Sequence, residues 1–163
     1  MTPEERTIKR DRMRFIRNSM SANLCYLGIL FNVFYFVNLY QSDVGTYYYQ
    51  IFIGASIVYN LLFLLIVFLA SEAVKNYVSS YSYTLLCIGA MQIVRVFYIP
   101  MRAHSAMTSV NGEEVRVMGD GQFYVLVVFL LISAACLLVS AVVNMSKCKE
   151  LAEHMKTLEA QKA

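Results

Sequence analysis

The chain has 163 residues, 58% of them hydrophobic and 15% charged, with a formal net charge of +3 and a mean hydropathy of +0.53. Soluble domains average about 45–50% apolar and about 25% charged residues, so this composition lies outside the range of an ordinary soluble domain. The excess is gathered into four blocks, Ala22–Tyr40, Ile51–Ala70, Tyr81–Ile99 and Tyr124–Asn144, separated by polar stretches. Each block is close to the ~20 residues that cross ~30 Å of hydrocarbon as a helix.

The first 21 residues, "MTPEERTIKRDRMRFIRNSMS", open on Thr2, Pro3 and Glu5. A threonine cap, a proline in the first turn and a glutamate three residues after the cap make a capping box. A helix over Pro3–Asn18 is expected, basic and amphipathic, lying in the cytoplasmic headgroup layer and attracted to anionic lipids. The apolar block that follows is too long for the core of a cleaved signal and has no small-x-small cleavage pattern after it. It is expected to stay as the first span. Gly28, Asn32 and Tyr35 share one of its faces.

The second block carries Asn60. Helices one and two run antiparallel, so Asn32 and Asn60 meet at one depth, and interhelical amide pairing is expected between them. The loops Gln41–Gln50 and Ser71–Ser80 hold nothing with catalytic character.

The third block holds Arg95, the one charged side chain in the four spans. With Pro100 ending the helix after Ile99, Arg95 lies about one turn from the outer boundary, roughly 6 Å at 1.5 Å per residue. A long side chain can snorkel that distance. The competing expectation is an ion pair with an outer acid: Asp43, Glu114 or Asp120 of this chain, or an acid of a partner.

Residues Pro100–Phe123 form the long outer loop. Asn111-Gly112, between Ala106–Val110 and Glu113–Met118, is a strong hairpin signal, and a two-residue turn pairs Val110 with Glu113 and Thr108 with Val115. Met101, His104 and Met107 would be a soft set for copper(I), but three residues in a chain with nine methionines are weak evidence, and no metal or cofactor is expected. The fourth block repeats Ser133 and Ser140, with Ala134 and Ala141, at a seven-residue interval, which is a helix-packing seam. The last 19 residues, 145–163, are helical in composition, with Leu151, Met155 and Leu158 on one stripe.

Eleven of the fourteen Lys and Arg precede block one, lie between blocks two and three, or follow block four. By the positive-inside rule both termini are cytoplasmic, and Tyr40, Tyr47–Tyr49, Phe97, Tyr98, Phe123 and Tyr124 form an outer aromatic belt. Cys25, Cys87, Cys136 and Cys148 then all fall within helices or on the cytoplasmic side, with no CxxC pair, so neither a disulfide framework nor a quinone-linked thiol oxidase is expected.

The expected fold is therefore all-α: four transmembrane helices (22–40, 51–70, 81–99, 124–144), both termini inside, a small extracytoplasmic β-hairpin in loop 100–123, and flanking cytoplasmic helices 1–21 and 145–163. There is no nucleophile–base pair, phosphate loop or zinc spacing, and no catalytic residue is expected. The spans contain no Asp, Glu or Lys, which disfavours a proton-coupled antiporter. The expectation is a non-catalytic accessory subunit of a larger membrane complex, a transporter before others. Arg95, Asn32, Asn60, Ser133 and Ser140 are its interhelical or partner-binding residues, and Asn111 and Gly112 the outer hairpin turn. Its partners would be other membrane subunits and lipid, not nucleic acid. The alternative is a homo-oligomeric small transporter or channel. Short loops and the lack of outer cysteines point to a bacterial plasma membrane.

Overall fold

A computed structural model describes residues 15–39, 47–110 and 113–162. Its elements in chain order are α1 (Ser19–Leu39), α2 (Tyr47–Lys75), α3 (Ser80–Tyr98), α4 (Pro100–Ser105), β1 (Met107–Val110), β2 (Glu113–Arg116) and α5 (Asp120–Lys162). Four helical stretches are long and apolar enough to cross a membrane. This is the architecture that hydrocarbon demands, because a helix satisfies its own backbone N–H and C=O groups.

Three of the four long helices pack by one rule. The buried positions of α1 include Ser21, Cys25, Gly28, Asn32, Tyr35 and Leu39. Those of α2 include Ser56, Asn60, Phe63, Val67, Ala70 and Val74, and those of α5 include Leu126, Leu130, Ser133, Leu137, Ser140 and Asn144. Each series advances by alternating threes and fours, the ~3.5-residue repeat of coiled helix bundles. The seam mixes small and polar residues with Leu, Val and Phe, and unlike a soluble bundle the outside is apolar as well. Leu61, Leu62, Leu65, Phe68 and Leu69 of α2 are all exposed.

Helix α5 packs along both α1 and α3, and α1 also packs on α2, while α2 and α3 meet more sparsely. Two glycines permit the close approach of α5. A Cβ on Gly28 would stand 2.9 Å from Leu137 Cδ2, and one on Gly89 would stand 2.9 Å from Leu138 Cδ2. Two apolar clusters fill the bundle, one around Cys25, Phe63, Val67, Leu85 and Leu137, the other around Tyr35, Leu39, Ala103, Met118, Leu126 and Leu130.

Several boundaries differ from expectation. Residues 1–14 of the expected N-terminal helix lie outside the described residues, and residues 15–18 are turn and irregular chain. Asn18 ends that segment as the cap of α1: its Oδ1 accepts from the Ser21 N–H at 3.3 Å, and its own N–H donates to Lys75 O at 2.9 Å. Helix α2 runs on through Ser71–Lys75, half of what reads as loop. Tyr26 Oη donates to Glu72 at 2.9 Å, and Lys75 pairs with Glu72 at 3.2 Å. The helix closes in a Schellman motif, with Val78 N–H bonded to Ala73 O and Tyr77 N–H to Val74 O. Its left-handed residue is Tyr77, at φ 60°.

Helix α3 ends at Tyr98, with Ile99 as its cap, close to the expected end. Pro100 opens α4, where a missing N–H costs nothing; the two together make an apolar stretch of 26 residues from Ser80 to Ser105. Met107 pairs with Arg116 and Val110 with Glu113 in an antiparallel ladder. The turn residues Asn111 and Gly112 lie outside the described residues. Helix α5 is unbroken for 43 residues, about 65 Å at 1.5 Å per residue, so the C-terminal stretch continues the fourth helix. His154 stacks on Phe15 at 5.0 Å, while Met155 of the expected stripe is exposed.

Candidate functional site at Arg95

Arg95 does not snorkel. It is 6% exposed, and its side chain turns inward onto α1 and α2. Arg95 lies one turn before the end of α3 at Tyr98, and its guanidinium is bonded to side chains of α1, α2 and α3. The polar partners it meets instead are side chains of the seam.

The geometry is dense. Arg95 Nη1 donates to Asn32 Oδ1 at 3.1 Å and to Gln92 Oε1 at 3.3 Å. Arg95 Nη2 donates to Asn60 Oδ1 at 2.9 Å and to Ser56 Oγ at 3.4 Å. Asn32 Nδ2 donates to Asn60 Oδ1 at 3.1 Å, and Gln92 Nε2 donates to Asn32 Oδ1 at 3.0 Å and to Ser133 Oγ at 3.4 Å. Asn60 Nδ2 returns to Ser56 O at 2.8 Å, and Ser133 Oγ–H donates to Gly28 O at 2.8 Å. The rings of Tyr35 and Tyr59 each lie 4.5 Å from the guanidinium carbon. Contacts at that distance are attractive, and more so when desolvated.

Each member has a local reason for its place. Gln92 and Arg95 are three apart on α3, and Ser56 and Asn60 four apart on α2, so each pair shares a helix face. Asn32 and Tyr35 repeat that spacing on α1. Ser133 presents its hydroxyl from α5 where Gly28 lets the backbones approach. The expected Asn32–Asn60 pair is present, but as two members of a larger set that also contains Arg95 and, through Gln92, Ser133. Sequence reasoning did not find Gln92, Ser56 or the role of Tyr59. Their signal was a polar or aromatic residue on the three-four seam of an otherwise apolar span.

Of the acids considered as partners for Arg95, Asp120 accepts from His104 at 2.8 Å and Arg116 at 2.8 Å, Glu114 is exposed in β2, and Asp43 lies outside the described residues. His104 is thereby engaged, and Met101 and Met107 are exposed. Among the described residues no three His, Cys, Asp or Glu side chains gather as a metal site.

Ser140 belongs to a second network toward the other end of the bundle. It exchanges bonds with Ser21, Ser21 Oγ to Ser140 O at 2.7 Å and Ser140 Oγ to Ser21 O at 2.8 Å. One turn on, Asn144 accepts from Asn18 Nδ2 at 3.0 Å and donates to Ser82 Oγ at 2.8 Å and Val78 O at 3.2 Å. This network ties α1, α3 and α5 to the α2–α3 turn, and its work is structural.

A guanidinium stays protonated in proteins, so Arg95 is not a proton carrier. What the arrangement offers is a permanent cation held rigidly at one edge of a bundle, beside the sparse α2–α3 seam. No protein-family model, curated protein or solved structure matches the chain.

Proposed function

We propose that this chain is a non-catalytic subunit of a larger membrane assembly, a transporter complex before others. Both termini would lie on the cytoplasmic side and the hairpin outside, in a bacterial plasma membrane. The observation that carries this reading is where the polar side chains point. Asn32, Asn60, Gln92, Ser133 and Arg95 all turn to the bundle interior and bond one another, and the outward surface is apolar. The interior at that level is filled with mutual hydrogen bonds, which favours a subunit role over a homo-oligomeric pathway along the Asn32–Asn60 level.

The outward faces are then what the chain has to offer. Helix α2 is held by one narrow seam and leaves most of its girth uncovered. The part of α5 beyond Asn144 adds 18 residues, about 27 Å, outside the span. A small protein that presents apolar helix surface in lipid and rigid segments on both sides is built to be gripped by other subunits.

Purification of a tagged copy in mild detergent from its native host tests the reading. Stoichiometric membrane partners are expected, and elution of the chain alone and monodisperse would overturn it. Liposomes holding only this chain provide the converse test, because solute flux through them, abolished by Asn60→Leu, would establish the pathway reading instead. Single cysteines at Ser109 and Ala160 in a background lacking the four native cysteines check the topology. An impermeant thiol reagent added to intact cells should label the first and not the second.

A further inference from the structure

The sparse contact between α2 and α3 leaves a cleft of about 290 Å³. Ala55, Met91, Val94 and Tyr98 form its outer walls and are exposed to the surroundings of the bundle, while Ser56 and Arg95, buried at 4% and 6% exposure, lie at its inner end. A membrane would cover the mouth with acyl chains. The cleft therefore runs from hydrocarbon to a cation and a hydroxyl.

Its size selects the occupant. At about 30 Å³ per water-sized heavy atom it holds roughly ten such atoms, near the lower bound of small-ligand sites. A helix, about 10 Å across, cannot enter it. One acyl chain can.

The chemistry at the inner end selects the head group. Of the four Arg95 hydrogen bonds described above, that of Nη2 to Ser56 Oγ is the longest, at 3.4 Å, beyond the usual N–H···O range. It is also the one that borders the cleft. A carboxylate oxygen placed there would make a charge-assisted bond, shorter and roughly twice as strong as a neutral one, while Nη2 keeps Asn60 at 2.9 Å. Ser56 Oγ accepts in both of its side-chain bonds, from Arg95 and Asn60, so its own proton is available to the incoming oxygen. The rings of Tyr35 and Tyr59 hold the guanidinium in place as the exchange occurs.

We propose that the α2–α3 cleft is a binding site for a long-chain fatty acid taken from the bilayer. Its carboxylate lies between Arg95 Nη2 and Ser56 Oγ, and its chain leaves past Met91 and Val94. The proposal is independent of the subunit reading, since binding is a property of the single chain.

The test uses the full chain in phosphatidylcholine nanodiscs with tritiated palmitate. Saturable binding near one per chain is expected, with methyl palmitate, which has lost the charge, at least tenfold weaker as a competitor. Ala55→Phe fills the cleft from its lipid side without touching the Arg95 bonds. It should weaken palmitate binding at least tenfold and leave the melting temperature unchanged, and Val94→Phe should do the same from the α3 side. Non-saturable uptake, equal competition by the ester, or wild-type binding by both folded phenylalanine variants would each overturn the proposal.

Discussion

Replacing Asn32 probes the central network most directly, because its side chain joins three of the other members. Asn32→Leu removes the acceptor of Arg95 Nη1 and Gln92 Nε2 and the donor to Asn60 Oδ1. A hydrogen bond to a charged group contributes about 1.5–3 kcal/mol, and interhelical bonds in membranes average about 0.6 kcal/mol. One of the first kind and two of the second, less a partial gain from the apolar leucine, give a loss of about 2–4 kcal/mol. The discriminating measurement is a double-mutant cycle with Arg95→Leu, read as unfolding free energy in detergent micelles by circular dichroism. With the guanidinium gone, no buried charge remains to be served, and replacing both partners by apolar residues is often close to neutral. Asn32→Leu should then cost far less in the Arg95→Leu background, with a coupling energy of about 1.5–3 kcal/mol, within the range found for residues of one network. A coupling below about 0.5 kcal/mol, the limit of additivity for independent sites, would refute the inward placement of Arg95 and restore the snorkelling arginine.

Three further outcomes are expected. Gly28→Ala should destabilise by about 1–3 kcal/mol as an overpacked site, and by more than Gly89→Ala. Its Cβ meets the fully buried Leu137, whereas that of Gly89 meets Leu138, which is only half-buried and can swing outward; equal costs in thermal melts would contradict this. Tyr77→Gly and Tyr77→Ala both lose the ring, so their difference isolates the backbone. At φ 60° the glycine variant should be the more stable by about 1–2 kcal/mol, and identical melts would mean that the Schellman closure is absent. Asn144→Leu leaves Asn18 Nδ2, Ser82 Oγ and Val78 O without that partner, at about 1–3 kcal/mol for a buried group left unmet. Hydrogen exchange should then quicken at the α2–α3 turn while the Arg95 level stays protected, and uniform quickening would argue against two separate networks.

The candidate site was legible in its members more than in its form. Arg95, Asn32, Asn60 and Ser133 stand out because they are polar in apolar spans, and antiparallel helices put the two asparagines at one depth. Gln92 and Ser56 passed unnoticed because nothing in their own helices distinguishes a seam position from a lipid-facing one. The three-four spacing becomes readable only when the buried series of neighbouring helices are laid against each other. The end of α3 next to Ile99 was legible, since Pro100 cannot continue that helix and instead opens α4. What the sequence did not show is the rotation of α3, which turns Arg95 onto the side chains of α1 and α2. Ser140, read as a packing position on a seven-residue repeat, bonds with Ser21, in a network whose other members, Asn18 and Asn144, sit at the edges of the blocks.

Composition and block length alone determine that the chain forms four helices able to cross a membrane, because hydrocarbon leaves the backbone no other way to satisfy its polar groups over ~20 apolar residues. Which way the polar side chains turn is beyond their reach. A span that is apolar almost all round has no amphipathic face to announce its orientation, so rotation about each helix axis is settled by contact with its neighbours. Only the packed bundle decides that Arg95 faces inward, that three helices supply its amides and α2 its hydroxyl neighbour, and that a cleft opens where α2 and α3 fail to close.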